Sequence, residues 1–101
     1  MVVIYTTLPT KKSAERVVKI ILKNRLAVCI NYWPIESQYI WNKKIETAQE
    51  WILIIKTINK NYQKIEKMIK NNHPYETPAI FSWSINKVEK NYLRWLEKEI
   101  K

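Results

Sequence analysis

Glycine and aspartate are both absent from the 101-residue sequence, which also contains only one cysteine and one histidine. A chain without glycine cannot form the glycine-rich loops that hold phosphates or the sharp turn that presents a catalytic serine. The single histidine and the lack of aspartate exclude a Ser-His-Asp triad, although a glutamate could still take the place of the aspartate. Hydrolase chemistry is therefore disfavoured, and we expect a protein that is not an enzyme.

Disulfide bonds and membrane-spanning segments are also missing from the sequence pattern. The single cysteine, Cys29, cannot form a disulfide within the chain, which fits the reducing conditions of the cytosol. No apolar run approaches the roughly 20 residues that a transmembrane helix requires. We therefore expect a single domain over residues 1–101 that is cytoplasmic and does not enter a membrane.

The net charge of +9 invites a nucleic-acid-binding interpretation. The basic residues, however, are mostly lysines scattered along the chain, with arginine only at Arg16, Arg25 and Arg94. The chain is also rich in Ile, Lys and Asn, which are encoded by A/T-rich codons, so genome composition explains much of the excess. A solvated, dispersed charge accounts for the pattern, and we expect no nucleic-acid partner.

The first half of the chain begins with alternating strand and helix patterns. Val2–Leu8 is predicted to be a strand, and Ser13 can cap a helix that extends to about Arg25. The segment Leu26–Trp33 is rich in β-branched and aromatic residues, which predicts a second strand. Pro34 is expected to interrupt that strand, because proline cannot donate a ladder hydrogen bond.

An aromatic arm and a turn connect the second strand to the third. Residues 37–41 form the arm, with Tyr39 and Trp41 as its aromatic side chains. Asn42 is expected to supply the left-handed backbone position of the turn, because no glycine is available and asparagine is the best substitute. The third strand, residues 51–55, is apolar on both of its faces.

The second half of the chain repeats the helix and strand patterns. A helix is predicted to begin at Asn59 or Asn61 and to end near Asn72. The last strand, residues 79–85, follows a proline, which favours a position at the edge of a sheet. The pattern Asn86-x-x-Glu89 resembles a capping box and is predicted to open a C-terminal helix.

The order β-α-β-β-α-β plus a C-terminal helix predicts an α+β fold of the ferredoxin-like, split βαβ type with an antiparallel sheet. The two main helices of that fold cover only one face of the sheet. The row formed by Ile52 and Ile54 then needs a cover from the C-terminal helix or from another subunit. Because the C-terminal helix is short, we expect the protein to self-associate.

Cys29 and His73 form the most specific candidate for a chemical site. A thiolate and an imidazole nitrogen suit Cu(I), Cu(II) or Zn(II), and Glu76 could complete the set. The spacing matches no local metal motif, so these ligands would have to converge in the fold or across subunits. Structural roles compete with this interpretation, because a free cysteine in a strand is usually a buried apolar residue and a histidine at a helix C-terminus stabilises the dipole. We expect no metal to be required for folding.

Lys56 lies at the end of an apolar strand, where a charge is unusual. Its long stem can carry the ammonium group to solvent. Alternatively, it places a positive charge in a ligand-binding cleft lined by Tyr75, Tyr92 and Trp95. The arm residue Trp41 is better explained as an anchor in a neighbouring subunit than as a ligand-stacking residue.

Five blocks of residues, in the same order, resemble the CutA family of divalent-cation-tolerance proteins. They are Arg25-Leu26-Ala27-Val28-Cys29-Ile30-Asn31, Ser37-Gln38-Tyr39-Ile40-Trp41, Glu50 with Ile55-Lys56-Thr57, His73-Pro74-Tyr75-Glu76-Thr77-Pro78, and Tyr92-Leu93-Arg94-Trp95-Leu96. The resemblance covers nearly the whole chain. The chain departs from the family at Asn42, near which the family usually has glycine, and in having only Cys29 where some members have further cysteines.

The resemblance implies a ferredoxin-like homotrimer, similar in architecture to PII signalling proteins, that takes part in tolerance of copper and other divalent cations. It brings no established catalytic reaction. Cys29 and His73 are the implied metal ligands, and the implied cleft between subunits contains Lys56, Tyr75, Glu76 and Tyr92.

Two hypotheses follow for the function. The first is a trimeric metal-response protein that binds copper, zinc or another divalent cation. The alternative is a PII-like signalling module that binds an anionic small molecule at the subunit cleft through Lys56.

Overall fold

The computed structural model describes residues 1–100 and contains four strands and three α-helices in that range. In chain order these are β1 (Val2–Leu8), α1 (Lys11–Lys23), β2 (Cys29–Trp41), β3 (Lys44–Thr57), a short 3-10 turn (Asn59–Asn61), α2 (Tyr62–Asn71), β4 (Ile80–Ser84) and α3 (Lys90–Glu99). The sheet has the order β2-β3-β1-β4, and every neighbouring pair is antiparallel. The predicted α+β class, element order and edge position of the last strand are confirmed. None of the three helices is long and apolar enough to cross a membrane.

The hydrophobic core lies between one face of the sheet and the helices α1 and α2. Alternate residues of β1 and β3 point into it, and the register places Ile4 beside Ile55. The helices contribute residues at helical spacing, and Val17, Ile21, Ile65 and Ile69 are all fully buried. Because the apolar stripes of both helices face the same side of the sheet, the opposite side receives no cover from them.

The N-cap of helix α1 lies three residues before Ser13, the residue predicted to be the cap. Thr10 is the N-cap, and its hydroxyl accepts a hydrogen bond from the Ser13 backbone N–H at 3.0 Å. The Ser13 hydroxyl in turn accepts from the Thr10 N–H at 3.2 Å, so Ser13 completes a reciprocal capping box. The helix also ends before the predicted limit, because Arg25 adopts a left-handed backbone with φ of 56°.

Strand β2 is longer than predicted at one end and shorter at the other. The predicted start at Leu26 is wrong because Leu26 lies in the loop that closes α1, where its N–H donates to the Ile21 carbonyl at 3.2 Å. The predicted interruption at Pro34 is also wrong, since Pro34 stays in register opposite Trp51. Strand β2 lies at the edge of the sheet. A proline is tolerated there when its nitrogen faces solvent, because no ladder hydrogen bond is needed from that position.

The strands β2 and β3 continue beyond the end of β1 as a two-stranded arm. The last pair between β1 and β3 is Leu8 with Trp51, whereas β2 and β3 remain paired to Trp41 and Lys44. The third strand therefore covers Lys44–Thr57, not only the predicted residues 51–55. Two left-handed residues close the hairpin, Asn42 with φ of 51° and Lys43 with φ of 66°. The predicted role of Asn42 is confirmed.

Helix α3 begins at a different residue from the one that the sequence pattern indicates. Glu89 is the N-cap, and its carboxylate accepts a hydrogen bond from the Tyr92 N–H at 2.9 Å. Backbone hydrogen bonds from Asn91 and Tyr92 lower the pKa of Glu89 below its usual value. The predicted capping box at Asn86 is therefore wrong, because a glutamate inside the pattern takes the capping role.

Candidate functional site

The sheet face opposite α1 and α2 carries exposed aromatic side chains, and we call it the open face. Strand register places Val3, Tyr5 and Thr7 of β1 on this face, beside residues of β3 and β4. Phe81 and Trp83 are 45% and 47% exposed there. The C-terminal helix therefore leaves this part of the face uncovered within the chain.

The segment between α2 and β4 is held against the end of β1 by His73. Its Nε2 atom lies 2.5 Å from the Thr7 carbonyl oxygen, and its Nδ1 atom lies 3.1 Å from the Tyr75 backbone nitrogen. A carbonyl can only accept, so Nε2 carries the proton, while Nδ1 accepts from the Tyr75 N–H. Both ring nitrogens are thus used in fixing the position of Tyr75.

Tyr75 and Glu50 form the polar centre of the site. The Tyr75 hydroxyl donates a hydrogen bond of 3.2 Å to Oε2 of Glu50, a carboxylate that is only 7% exposed. Burial of the phenol, followed by the charge and hydrogen bond of Glu50, raises the pKa of Tyr75 to about 12. Tyr75 is therefore a stable proton donor to Glu50 at neutral pH.

A cavity of about 410 Å³ opens between the arm and the segment that contains Tyr75. We call it the arm cavity, and it is lined by Tyr5, Thr7, Ser37, Tyr39, Trp41, Glu50, Tyr75, Glu76, Thr77 and Ala79. Four of these ten residues are aromatic, two are carboxylates and none is basic. Its size lies within the range of small-molecule sites.

The predicted metal ligands Cys29 and His73 lie at different ends of the sheet within one chain. Cys29 is in register with Lys56 and Val3, whereas His73 contacts Thr7, four residues further along β1. At about 3.3 Å per residue, the offset along the strand is about 13 Å. Within residues 1–100, no group of three or more His, Cys or Glu side chains is placed to hold a metal ion.

Glu76, the third predicted ligand, lies in the wall of the arm cavity, two residues before Pro78. The other two predicted ligands do not line that cavity. The structure therefore brings Glu76 together with Tyr75, but not with Cys29.

Lys56 is separated from the other residues predicted to share its cleft. Its Nζ donates to Asn31 Oδ1 at 2.5 Å and lies 3.7 Å from Cys29 Sγ. Lys56 is the second-last residue of β3, and Glu50 lies six residues earlier on the same strand. At about 3.3 Å per residue, the lysine is about 20 Å along the strand from the Tyr75–Glu50 pair. Tyr92 and Trp95 pack against each other on α3, with ring centroids 5.6 Å apart.

The arm residues Tyr39 and Trp41, which are predicted to contact a neighbouring subunit, are both exposed in the single chain. Strand register places them on the same side of the sheet as Phe81 and Trp83. They also line the arm cavity, so the predicted interface and the cavity share residues.

Glu50 is the site residue that our sequence interpretation did not select. Two signals in the sequence were its place in one of the five blocks that resemble the family and its position directly before the apolar run of residues 51–55. A carboxylate next to a buried strand indicates either a strand end or a buried charge. The strand begins six residues earlier, at Lys44, so Glu50 lies inside it and is buried.

Comparisons with known proteins agree with this architecture. The family model described as CutA1 divalent ion tolerance protein matches residues 2–99. The divalent-cation tolerance protein CutA of Pyrococcus horikoshii is 41% identical over 101 residues, covering 100% of this chain and 99% of its own length. The crystal structure of CutA1 from the same organism superposes with a TM-score of 0.95 at 40% identity, covering 100% of this chain and 99% of that one.

A second solved relative is the periplasmic divalent cation tolerance protein CutA of Archaeoglobus fulgidus. Its structure superposes with a TM-score of 0.97 at 35% identity, and each chain is covered completely, at 100%. Because the family model spans almost the whole chain and the relatives match it over its full length, the chain belongs to the CutA1 family of divalent ion tolerance proteins.

Proposed function

We propose that this protein acts in divalent-cation tolerance as a homotrimer that binds copper, zinc or another divalent cation and catalyses no reaction. The metal role rests on family membership together with the chemistry of Cys29, His73 and Glu76. Self-association is supported by the open face of the sheet, and a trimer in particular is what the resemblance to the family implies. We also propose that residues 1–101 form one domain.

The exposed aromatic residues of the open face are the observation that carries the proposed assembly. Phe81 and Trp83 of β4 are exposed beside Tyr5 of β1. The rings of Tyr5 and Phe81 are stacked, with their centroids 4.6 Å apart. A contiguous aromatic surface of this kind is costly to leave in water and is typical of a subunit interface. The arm, with Tyr39 and Trp41 exposed, can reach beyond its own sheet toward a neighbour.

The proposed metal sites lie between subunits. One chain leaves Cys29 and His73 at different ends of the sheet, so a second chain has to contribute a ligand. Coordination by His73 would also require one of its two hydrogen bonds to break. Cys29, beside the Lys56 ammonium, is therefore the ligand on which the proposal depends most.

Calorimetric titration with Cu(II) and with Zn(II) tests the metal proposal. Wild type, Cys29→Ser, and the double variant Cys29→Ala/His73→Ala should be compared with a Ser84→Ala control. We expect both cysteine variants to bind Cu(II) more weakly than wild type and the control. Equal Cu(II) affinities across all four proteins would contradict the assignment of these ligands.

The alternative of an anionic ligand held by Lys56 is not favoured by the geometry. The arm cavity has no basic residue in its lining, and Lys56 donates a hydrogen bond to Asn31 at the far end of the sheet.

A cytoplasmic location remains our prediction. It is tested by cell fractionation, since named relatives include both a periplasmic and a chloroplastic protein.

A further inference from the structure

We propose that the outer surface of helices α1 and α2 binds the phosphate backbone of a nucleic-acid duplex, without recognition of its base sequence. Residues 11–23 and 59–72, which contain the two helices and the 3-10 turn, form what we call the helical layer. The layer packs on the core side of the sheet, opposite to the open face. Assembly through the open face therefore leaves it accessible, and the inference does not depend on the proposed metal role.

The fold gathers onto the helical layer a positive charge that is dispersed along the sequence. The layer contains nine basic residues and two acidic ones, Glu15 and Glu66, which gives it +7 of the chain's net charge of +9. All nine basic side chains are exposed, and they are Lys11, Lys12, Arg16, Lys19, Lys23, Lys60, Lys64, Lys67 and Lys70. Genome composition raises the lysine content of every element, so it does not explain why most acidic residues lie outside the layer. The scattered lysines of the sequence thus form one basic surface, which removes the reason for expecting no nucleic-acid partner.

The basic residues of the layer recur at helical spacing and form a stripe along each helix. The stripe on α1 consists of Lys12, Arg16, Lys19 and Lys23. The stripe on α2 and the turn before it consists of Lys60, Lys64 and Lys67. Residues three and four apart lie on the same side of a helix, so each stripe is a continuous row of cations. The row on α1 is about 16 Å long at about 1.5 Å per residue.

Most of these cations have no acidic partner within the chain. Lys70 lies 4.0 Å from Glu66, and it is the one basic residue of the layer that forms an ion pair within residues 1–100. Like charges three and four residues apart destabilise a helix. A bound row of phosphates would replace this repulsion by attraction, which is how cationic stripes hold a nucleic-acid backbone.

A groove of about 680 Å³ between the two helices adds hydrogen-bond donors to the charge. Its lining includes Lys64 and Lys67 with Asn24, Asn71 and Asn72, and it contains no acidic residue. The amide of Asn24 donates one hydrogen bond to the Ile20 carbonyl at 2.8 Å, which leaves its second N–H for another acceptor. Lysine and asparagine side chains are typical donors to phosphate oxygens.

The composition of the layer favours a duplex over a membrane or a single strand. An anionic membrane is bound more stably when apolar side chains enter it, and Leu22, at 38% exposure, is the one large apolar residue of the layer that is exposed. Proteins that bind single strands stack the bases on aromatic side chains. The aromatic residue of the layer is Tyr62, which is half-buried and donates to Glu66. A duplex needs neither feature, because its phosphates are on the outside.

A fluorescein-labelled DNA duplex of about 20 base pairs is the probe, and anisotropy titrations between about 50 and 200 mM salt measure its affinity for the full-length protein. We expect the logarithm of the association constant to fall with the logarithm of the salt concentration with a slope of about −4 or steeper, because each neutralised phosphate contributes about −0.9. A second duplex of equal length and different sequence should bind equally well, because phosphate contacts carry no sequence information.

Two double variants remove the same charge from different parts of the surface. Lys64→Gln/Lys67→Gln changes the helical layer, whereas Lys87→Gln/Lys90→Gln changes two exposed lysines outside it that have the same spacing. We expect the first variant to weaken duplex binding at the lower salt concentration by about tenfold or more and to make the salt slope shallower by about two. The second should leave both quantities as in wild type. Glutamine has nearly the helix propensity of lysine, so both variants should keep the circular dichroism spectrum and the light-scattering mass of wild type.

Several outcomes would overturn the proposal. Equal loss of binding in the two double variants would mean that net charge, and not the helical layer, attracts the duplex. Absence of duplex binding at the lower salt concentration, or a salt slope near zero, would exclude a phosphate-binding surface. Binding to vesicles of equal parts phosphatidylserine and phosphatidylcholine, without binding to the duplex, would assign the layer to a membrane. Tighter binding of a single strand of equal length would exclude the duplex as the preferred partner.

Discussion

The Tyr75 hydroxyl and the Glu50 carboxylate join two segments that are 25 residues apart in the sequence. The bond ties the loop after α2 to the base of the arm. His73 supports the same loop from the other side, through the Thr7 carbonyl and the Tyr75 N–H. The position of one side chain, Tyr75, is thus set by three contacts on two strands and its own loop.

Replacing Tyr75 by phenylalanine tests the contribution of its hydroxyl. The change removes the donor to Glu50 and leaves a buried carboxylate without its hydrogen bond. We expect Tyr75→Phe to lower the free energy of unfolding by about 1–3 kcal/mol in a denaturant titration. Tyr92→Phe, on α3, is the matched control and should change stability by less than about 0.5 kcal/mol.

The raised pKa of Tyr75 predicts a loss of stability at alkaline pH. An unfolded tyrosine has a pKa near 10.0, whereas that of Tyr75 in the fold is about 12. Between these values the folded state holds the proton more tightly than the unfolded state, so stability falls as the pH rises. The contribution is complete below pH 10 and is lost as the pH rises through about 12. The ionisation is measured by titrating the phenolate absorbance of wild type and of Tyr75→Phe and subtracting the second curve from the first. A difference curve with its midpoint near pH 10 would contradict the prediction.

His73 is predicted to stabilise the loop even without metal. In His73→Ala, the Thr7 carbonyl and the Tyr75 N–H both lose their partner. We expect a loss of about 1–3 kcal/mol in metal-free buffer with a chelator present. If the variant and wild type unfold together without metal and separate only when Cu(II) is added, His73 is a ligand without this structural role.

Sequence reasoning identified the segment of residues 73–78 but not how its residues are used. Metal-binding residue types are visible in a sequence, whereas the hydrogen bonds that occupy both nitrogens of His73 depend on where Thr7 lies in the folded sheet. The burial of Glu50 is likewise decided by the length of the arm. The arm cavity therefore depends on contacts between segments that are distant in the sequence.

The arm is the element whose length was hardest to predict. Glu46, Thr47 and Gln49 are polar, so a hydrophobicity pattern does not predict strand β3 there. These side chains are exposed on the projecting hairpin. Pro34 gave a second misleading signal, since an edge strand tolerates it. Strand β1 and the apolar half of β3 were predictable, because buried strands are rich in apolar residues.

The turn of the arm allows a direct test at the level of one element. Lys43 has φ of 66°, a left-handed conformation that costs about 1–2 kcal/mol for a residue with a side chain. We expect Lys43→Gly to raise the free energy of unfolding by about 0.5–1 kcal/mol, after the greater entropy of an unfolded glycine is counted. Lys44→Gly, one residue later in β3, should lower it instead. Equal effects of the two substitutions would contradict the turn geometry.

At the scale of the molecule, the two faces of the sheet are buried to different extents within the chain. The helices α1 and α2 cover the centre of one face, where Ile4, Leu53 and Ile55 have zero exposure. The other face keeps Trp33, Phe81 and Trp83 exposed. The sequence predicts that the row of Ile52 and Ile54 lacks a cover, but Ile52 is buried and Ile54 is half-buried within the chain. The exposed surface is supplied instead by β2 and β4.

The mass of the protein in solution tests the central claim, that the open face is a subunit interface. Light scattering should give three times the 12.3 kDa chain mass for wild type. Trp83→Lys places a charge on the open face and should lower that mass, whereas Leu22→Lys, at an exposed position of α1, should leave it unchanged. A wild-type mass of 12.3 kDa, or a trimer that Trp83→Lys does not weaken, would contradict the account.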